Sequence, residues 1–283
     1  MSVLSEPLDD AKKQAAKAVR TVAPWIERIG RFGYVAKGMV YASIGILALR
    51  SAWRYRASAV DPHGALNQLA SRPHGEALLF AIACGMFGYA LWRIIEAVKD
   101  PENKGNGLSG IVQRIGFAGS AFVYSALGVA ALKLATGAER RVASISEQDW
   151  TAELLSHPYG EWLVGLAGLI MLGVGVAHFY MSWTAKFCES MAYYRLSRTE
   201  KHWSIRIGRF GFAARAVVFS LIGGFFLKAA FEQDPSQAGG FREALVELAT
   251  QPYGLWILAG AGLGLIAYAI HLLVEATCKR FPF

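Results

Sequence analysis

Lys37 and Arg215 are cations set within otherwise apolar runs, and Glu96 and Glu275 are acids in the same situation. A charge at the centre of a membrane helix is unfavourable by a few kcal/mol or more, so it has to be paired, solvated or put to use. Lys37 and Arg215 occupy the same position in two copies of an internal repeat, one to two turns inside the cytoplasmic end of their helices, and the remaining copy has neutral Ser120 there. On the returning helices Glu96 matches Glu275, and the copy without a base has Met181 instead of an acid. This co-occurrence predicts two ion pairs within repeats, Lys37–Glu96 and Arg215–Glu275. Such pairs either lock each hairpin, since removing one partner strands a buried charge, or line a cytoplasm-facing vestibule that binds or gates an anionic solute. Arg93 precedes Glu96 by one turn, and His178 matches it in the middle copy. With Ser120 they extend a candidate polar path, unless they simply reach the inner headgroups by snorkelling.

Other chemistry is not written in the chain. There is no Gly-x-Ser-x-Gly elbow, no His-Glu-x-x-His, no phosphate-cradling loop ending in Gly-Lys-[Ser/Thr] and no Cys-x-x-Cys. An enzyme is therefore not expected. His178 and His271 differ in register by one residue, which argues against a shared haem, and no cofactor or metal is expected. The three cysteines, Cys84, Cys188 and Cys278, form no disulfide framework.

The elements that position these charges are helices. Of 283 residues 54% are hydrophobic and only 18% charged, where a soluble chain has about a quarter charged. The apolar residues gather in six runs, 32–49, 77–98, 115–135, 162–183, 210–230 and 255–276. Each is long enough to cross about 30 Å of hydrocarbon as a helix, the default where backbone groups must bond one another. The net charge of +8 follows the membrane rather than nucleic acid. With the N-terminus inside, segments on its side hold Lys12, Lys13, Lys17, Lys99, Lys186 and Lys201 among others. The opposite loops hold only Arg54, Arg56, Arg72, Arg140, Arg141 and Arg242. This asymmetry predicts both termini in the cytoplasm. Residues 1–25 carry early acids and no apolar core segment, unlike a signal peptide, and predict an interfacial or solvated amphipathic helix.

Three segments align without gaps: Arg31-Phe-Gly-Tyr-Val-Ala-Lys37, Arg114-Ile-Gly-Phe-Ala-Gly-Ser120 and Arg209-Phe-Gly-Phe-Ala-Ala-Arg215. One turn further on stand Tyr41, Tyr124 and Phe219, and after them Gly45, Gly128 and Gly223, layers that share a helical face. A second signature, Pro73-His-Gly75, Pro158-Tyr-Gly160 and Pro252-Tyr-Gly254, precedes each returning helix. Short amphipathic helices are expected just upstream, at 65–69, 150–155 and 241–248. Two spans per copy give every copy the same orientation, so parallel repeats related by an axis along the membrane normal are expected. The fold class is an all-α membrane protein of six transmembrane helices: three parallel two-helix repeats, at 26–100, 108–185 and 203–283, in a pseudo-three-fold arrangement.

The Arg-x-Gly-[Tyr/Phe] opening and the Pro-[His/Tyr]-Gly turn resemble the bacterial domain-of-unknown-function family 1206, from about Glu27 to Ala276. The resemblance implies three two-helix domains in a bacterial membrane protein and no particular activity. Two functions fit the residues. The first is a small-solute or ion transporter or channel in the bacterial inner membrane. The second is a non-enzymatic membrane scaffold or lipid-interacting assembly protein, whose basic segment 186–209 holds anionic headgroups at the cytoplasmic face. No nucleic acid is expected as a partner.

Overall fold

The computed structural model describes residues 6–53, 61–101, 105, 107–142 and 147–281, with side chains from Pro24 onward except at 108, 109 and 195. The chain is helical almost throughout. The long helices are α1 (Glu6–Trp53), α3 (Gly75–Lys99), α4 (Leu108–Ala135), α6 (Gly160–Thr184), α7 (Arg198–Glu232) and α9 (Gly254–Cys278). Between them run the short helices α2 (Pro62–Ala70), α5 (Glu147–Leu155) and α8 (Phe241–Thr250). Among the described residues six segments are long and apolar enough to cross a membrane, one in each long helix, as expected of a multi-pass membrane protein. The segment read as an N-terminal helix is continuous with the first span, because α1 runs unbroken from Glu6 through Pro24.

Each returning helix starts the same way. His74, Tyr159 and Tyr253 adopt left-handed backbone conformations after their prolines. Gly75, Gly160 and Gly254 then open the helix. A Cβ at any of these glycines would strike a backbone carbonyl of the preceding short helix, Leu69, Leu154 or Ala249. Only glycine allows the short helix to fold back so tightly, which accounts for its presence in all three turns. On the same side Asn67 of α2 exchanges hydrogen bonds with the backbone of Val142, 2.8 and 3.0 Å, tying the first repeat to the second.

The six spans form a ring in the order α1, α3, α4, α6, α7, α9. Between lipid-facing helices there is no hydrophobic drive to associate, so close packing at small residues has to hold them. Contacts between repeats recur. Gly45 of α1 backs onto Gly262 of α9, Gly128 of α4 onto Phe87 of α3, and Gly223 of α7 onto Gly168 and Leu172 of α6. One repeat-equivalent glycine thus packs every first helix on the second helix of the preceding repeat, which is the pseudo-three-fold relation in physical form. The opening arginines reinforce it. Arg31 donates to the carbonyls of Ala276 and Lys279 at the end of α9, at 2.5 and 3.2 Å. Arg114 donates to Ala97 and Val98 at the end of α3, at 2.6 and 3.2 Å. Both satisfy carbonyls that a helix end leaves without partners.

Contacts within repeats are not equivalent. Gly33 meets the backbone of Tyr89, and Gly211 that of Tyr268, each 2.6 Å from the position a Cβ would take. The matching Gly116 has nothing within 4 Å, nor has Gly119, nor Gly173 on α6. Among the described residues α4 and α6 are the ring neighbours without an extensive contact; α4 packs mainly on α3 and α6 mainly on α7, each in an adjoining repeat. The ring is therefore open along one seam, inside the middle repeat.

Candidate functional site

The basic position of the repeat sits on the inward face of α1 and α7. From residue 25 to 37, and from 203 to 215, is about 18 Å of helix rise, and from 37 to 53 about 24 Å. The exposed Trp25, Trp203 and Trp53 bound these intervals, so the layer lies nearer the middle of the spans than the expected one to two turns from an end.

Lys37 is 4% exposed and donates a hydrogen bond to the hydroxyl of Tyr89 at 2.8 Å. Its ammonium also lies 4.5, 4.8 and 5.8 Å from the ring centres of Tyr89, Tyr124 and Tyr268. Arg215 is 7% exposed. Its guanidinium lies 4.3 Å from the ring of Tyr268, 5.0 Å from Phe219 and 5.2 Å from Tyr41. It makes no hydrogen bond or ion pair among the described residues, and its Nε is wholly enclosed. The two cations thus share the ring of Tyr268. The rings pack edge to face, Tyr41 on Tyr268 at 5.0 Å and Tyr89 on Tyr124 at 4.7 Å. Aromatic faces attract cations by their quadrupoles, so the layer is a cage of tyrosines around two positive charges.

The expected pairs Lys37–Glu96 and Arg215–Glu275 are not formed. Glu96, 1% exposed, is held by Arg93 at 2.6 Å and by Lys279 at 3.1 Å. Glu275 is half-buried and makes no ion pair among the described residues. The reason is axial register. Lys37 and Arg215 reach Tyr89 and Tyr268, seven residues and about 10 Å of rise short of Glu96 and Glu275. Tyrosine follows the base from copy to copy as the acid does, and it is the tyrosine that the base touches: the copy with Ser120 has Val174 where the others have Tyr89 and Tyr268.

Arg93 joins the two layers, donating to the Tyr89 hydroxyl at 2.7 Å as well as to Glu96. The half-buried His178 lies across the seam from this group. Its Nδ1 is 2.7 Å from the carbonyl of Val174, and its ring stacks on Phe219 and Phe212 at 5.4 and 5.6 Å. Ser120 is half-buried on α4. The structure thus gathers Lys37, Arg215, Arg93 and Glu96 at the axis, with His178 at its edge through Phe219.

Lys279 is a buried residue that reading the chain left among the surface charges. It is 5% exposed, just beyond the end of α9. Burial alone would lower the pKa of its ammonium, but Tyr34 and Glu96 beside it outweigh that and hold it well above the usual lysine range. The signal for it was the repeat order itself, which puts the end of the last helix beside the first repeat. Tyr89 and Tyr268 were the other omissions, and matching them against Val174 in the alignment on the proline–glycine turn could have found them.

His271 is a further buried polar side chain, boxed by Phe187, Phe212 and Tyr268 with neither ring nitrogen hydrogen-bonded among the described residues. Among the described residues no group of histidines, cysteines and acids is placed to hold a metal.

No solved structure matches the chain. A relative from Bacillus subtilis (strain 168), the "Uncharacterized protein YxxB", is 37% identical over 268 residues, which cover 95% of this chain and 96% of that protein. The family model described as "Domain of Unknown Function (DUF1206)" matches three times, at 32–100, 115–185 and 210–279, and these are the three helix pairs of the ring. The chain belongs to that family.

Proposed function

We propose that this is a non-enzymatic membrane protein that binds an anion at Lys37 and Arg215 and acts as a carrier or channel for it. One observation carries the reading: the buried Arg215 guanidinium has no anionic or hydrogen-bonding partner among the described residues and shares the ring of Tyr268 with a second buried cation, Lys37. Leaving a buried charge uncompensated is strongly unfavourable, and burial without partners points to function in a membrane helix. Tyrosine rings offset part of that penalty without neutralising the charge. An oxyanion between the two would neutralise it. Arg215 offers a fork of N–H groups and Lys37 a point charge, and the hydroxyls of Tyr41, Tyr124 and Tyr268 make no hydrogen bond among the described residues. The positive-inside asymmetry and the bacterial relative support a bacterial inner membrane with both termini cytoplasmic.

Inorganic phosphate, titrated calorimetrically into the purified chain, tests the binding layer. Lys37→Ala/Arg215→Ala should weaken binding at least ten-fold while eluting as the wild type does. Equal binding by the two proteins would sink the proposal.

A second reading is a scaffold that holds anionic headgroups on its surface. It is favoured by the start of α7, where Arg198, Lys201, Arg206 and Arg209 are all exposed. That surface would bind lipid equally well without the buried cations.

A further inference from the structure

We infer that the anion is the phosphate headgroup of an anionic phospholipid, which reaches Lys37 and Arg215 sideways through the seam between α4 and α6 while its acyl chains stay in the bilayer. This rests on the anion-binding reading and names its ligand class.

The seam is built into the middle repeat. Gly33 and Gly211 close the other two repeats against Tyr89 and Tyr268, whereas the matching Gly116 faces open space. Ser120 stands where the other copies have their cation, so the α4 wall is small and uncharged at the depth of the binding layer. Tyr124 and His178 flank the seam from α4 and α6. Lys37 lies directly behind Tyr124, 4.8 Å from its ring. Arg215 lies behind His178 with the Phe219 ring between them.

A ligand using this route meets cations at the axis and lipid outside. A soluble anion gains nothing from an opening towards hydrocarbon. A phospholipid does: its tails need not leave the bilayer, and only the headgroup crosses the seam. Charge selects the headgroup. Phosphatidylcholine and phosphatidylethanolamine would bring an ammonium beside two buried cations, an unfavourable like-charge contact. Phosphatidylglycerol brings the phosphate with hydroxyls only.

The test uses the purified full chain in neutral detergent, with fluorescent phosphatidylglycerol and phosphatidylcholine followed by anisotropy. Phosphatidylglycerol should bind at least ten-fold tighter than phosphatidylcholine. The preference should be lost in Lys37→Ala/Arg215→Ala. Gly116→Trp, whose Cβ would meet nothing within 4 Å and whose ring projects into the seam, should weaken binding at least ten-fold while melting and eluting as the wild type does. Equal binding of the two lipids, or unaltered phosphatidylglycerol binding by Gly116→Trp, overturns the inference. If inorganic phosphate binds through Lys37 and Arg215 but phosphatidylglycerol binds no tighter, anion binding stands and lateral access falls. If neither binds, both fall.

Discussion

Arg215 lies over the ring of Tyr268 at 4.3 Å, and Lys37 occupies the equivalent seat over Tyr89 at 4.5 Å. The middle repeat has neither partner, with Ser120 and Val174 in their places. Base and tyrosine therefore come and go together, and the repeat that lacks them is the one whose helices stay apart. A cation over an aromatic face gains about 2 kcal/mol when desolvated, less than its loss of water, and on the anion-binding reading a ligand makes up the difference.

Arg215→Met should separate stability from binding. Replacing a buried charge with an apolar side chain of similar size is often neutral or stabilising, by about 1–4 kcal/mol. Thermal unfolding in detergent should show an unchanged or raised midpoint, alongside lost anion binding. A midpoint lowered by many degrees would mark Arg215 as structural.

The charges at Glu96 should behave in the opposite way. Arg93, half-buried, and Lys279, buried, both pair with this carboxylate, and Glu96→Gln removes the one negative charge that both contact. A loss of about 3–5 kcal/mol is expected. Glu275→Gln, at a half-buried residue with no ion pair among the described residues, should alter stability by under about 1 kcal/mol. Equal effects of the two substitutions would contradict the layer assignment.

Repeat-equivalent glycines should respond differently to alanine. Gly33→Ala places a Cβ 2.6 Å from the Tyr89 backbone, and such overpacking is unfavourable by about 1–3 kcal/mol. Gly116→Ala meets nothing and should be neutral or stabilising by up to about 1 kcal/mol, the intrinsic helix preference. Unfolding midpoints of the two variants decide it, and a destabilised Gly116→Ala would mean that the seam is closed.

Tyr89→Phe removes the acceptor of the Lys37 hydrogen bond. Bonds to charged groups contribute about 1.5–3 kcal/mol, so a clear fall in stability is expected. Tyr124→Phe removes a hydroxyl that makes no hydrogen bond among the described residues and should be near neutral in the unliganded protein. It should weaken anion binding instead. Similar unfolding midpoints for the two variants would count against the Lys37–Tyr89 bond.

Architecture was legible because it is repeated. The Pro-x-Gly turns, the Arg-x-Gly openings and the apolar runs each recur three times, and recurrence turns weak local signals into a firm one. Lys37 and Arg215 were legible for the same reason. Their partners were not, because repeat alignment shows which residues vary together but not their relative height across a helix pair. Glu96 covaries with Lys37 yet lies two turns away, beside Lys279 of another repeat. The seam escaped notice because it depends on what Gly116 fails to touch, and a glycine reads the same in a packed interface as in an open one.

Native mass spectra of the wild type beside the Lys37→Ala/Arg215→Ala variant test the central claim most directly. A phosphate-bearing anion, expected as an anionic phospholipid, should remain bound to the wild type and be absent from the variant. The same bound masses on both proteins would contradict the account and make the caged cations structural.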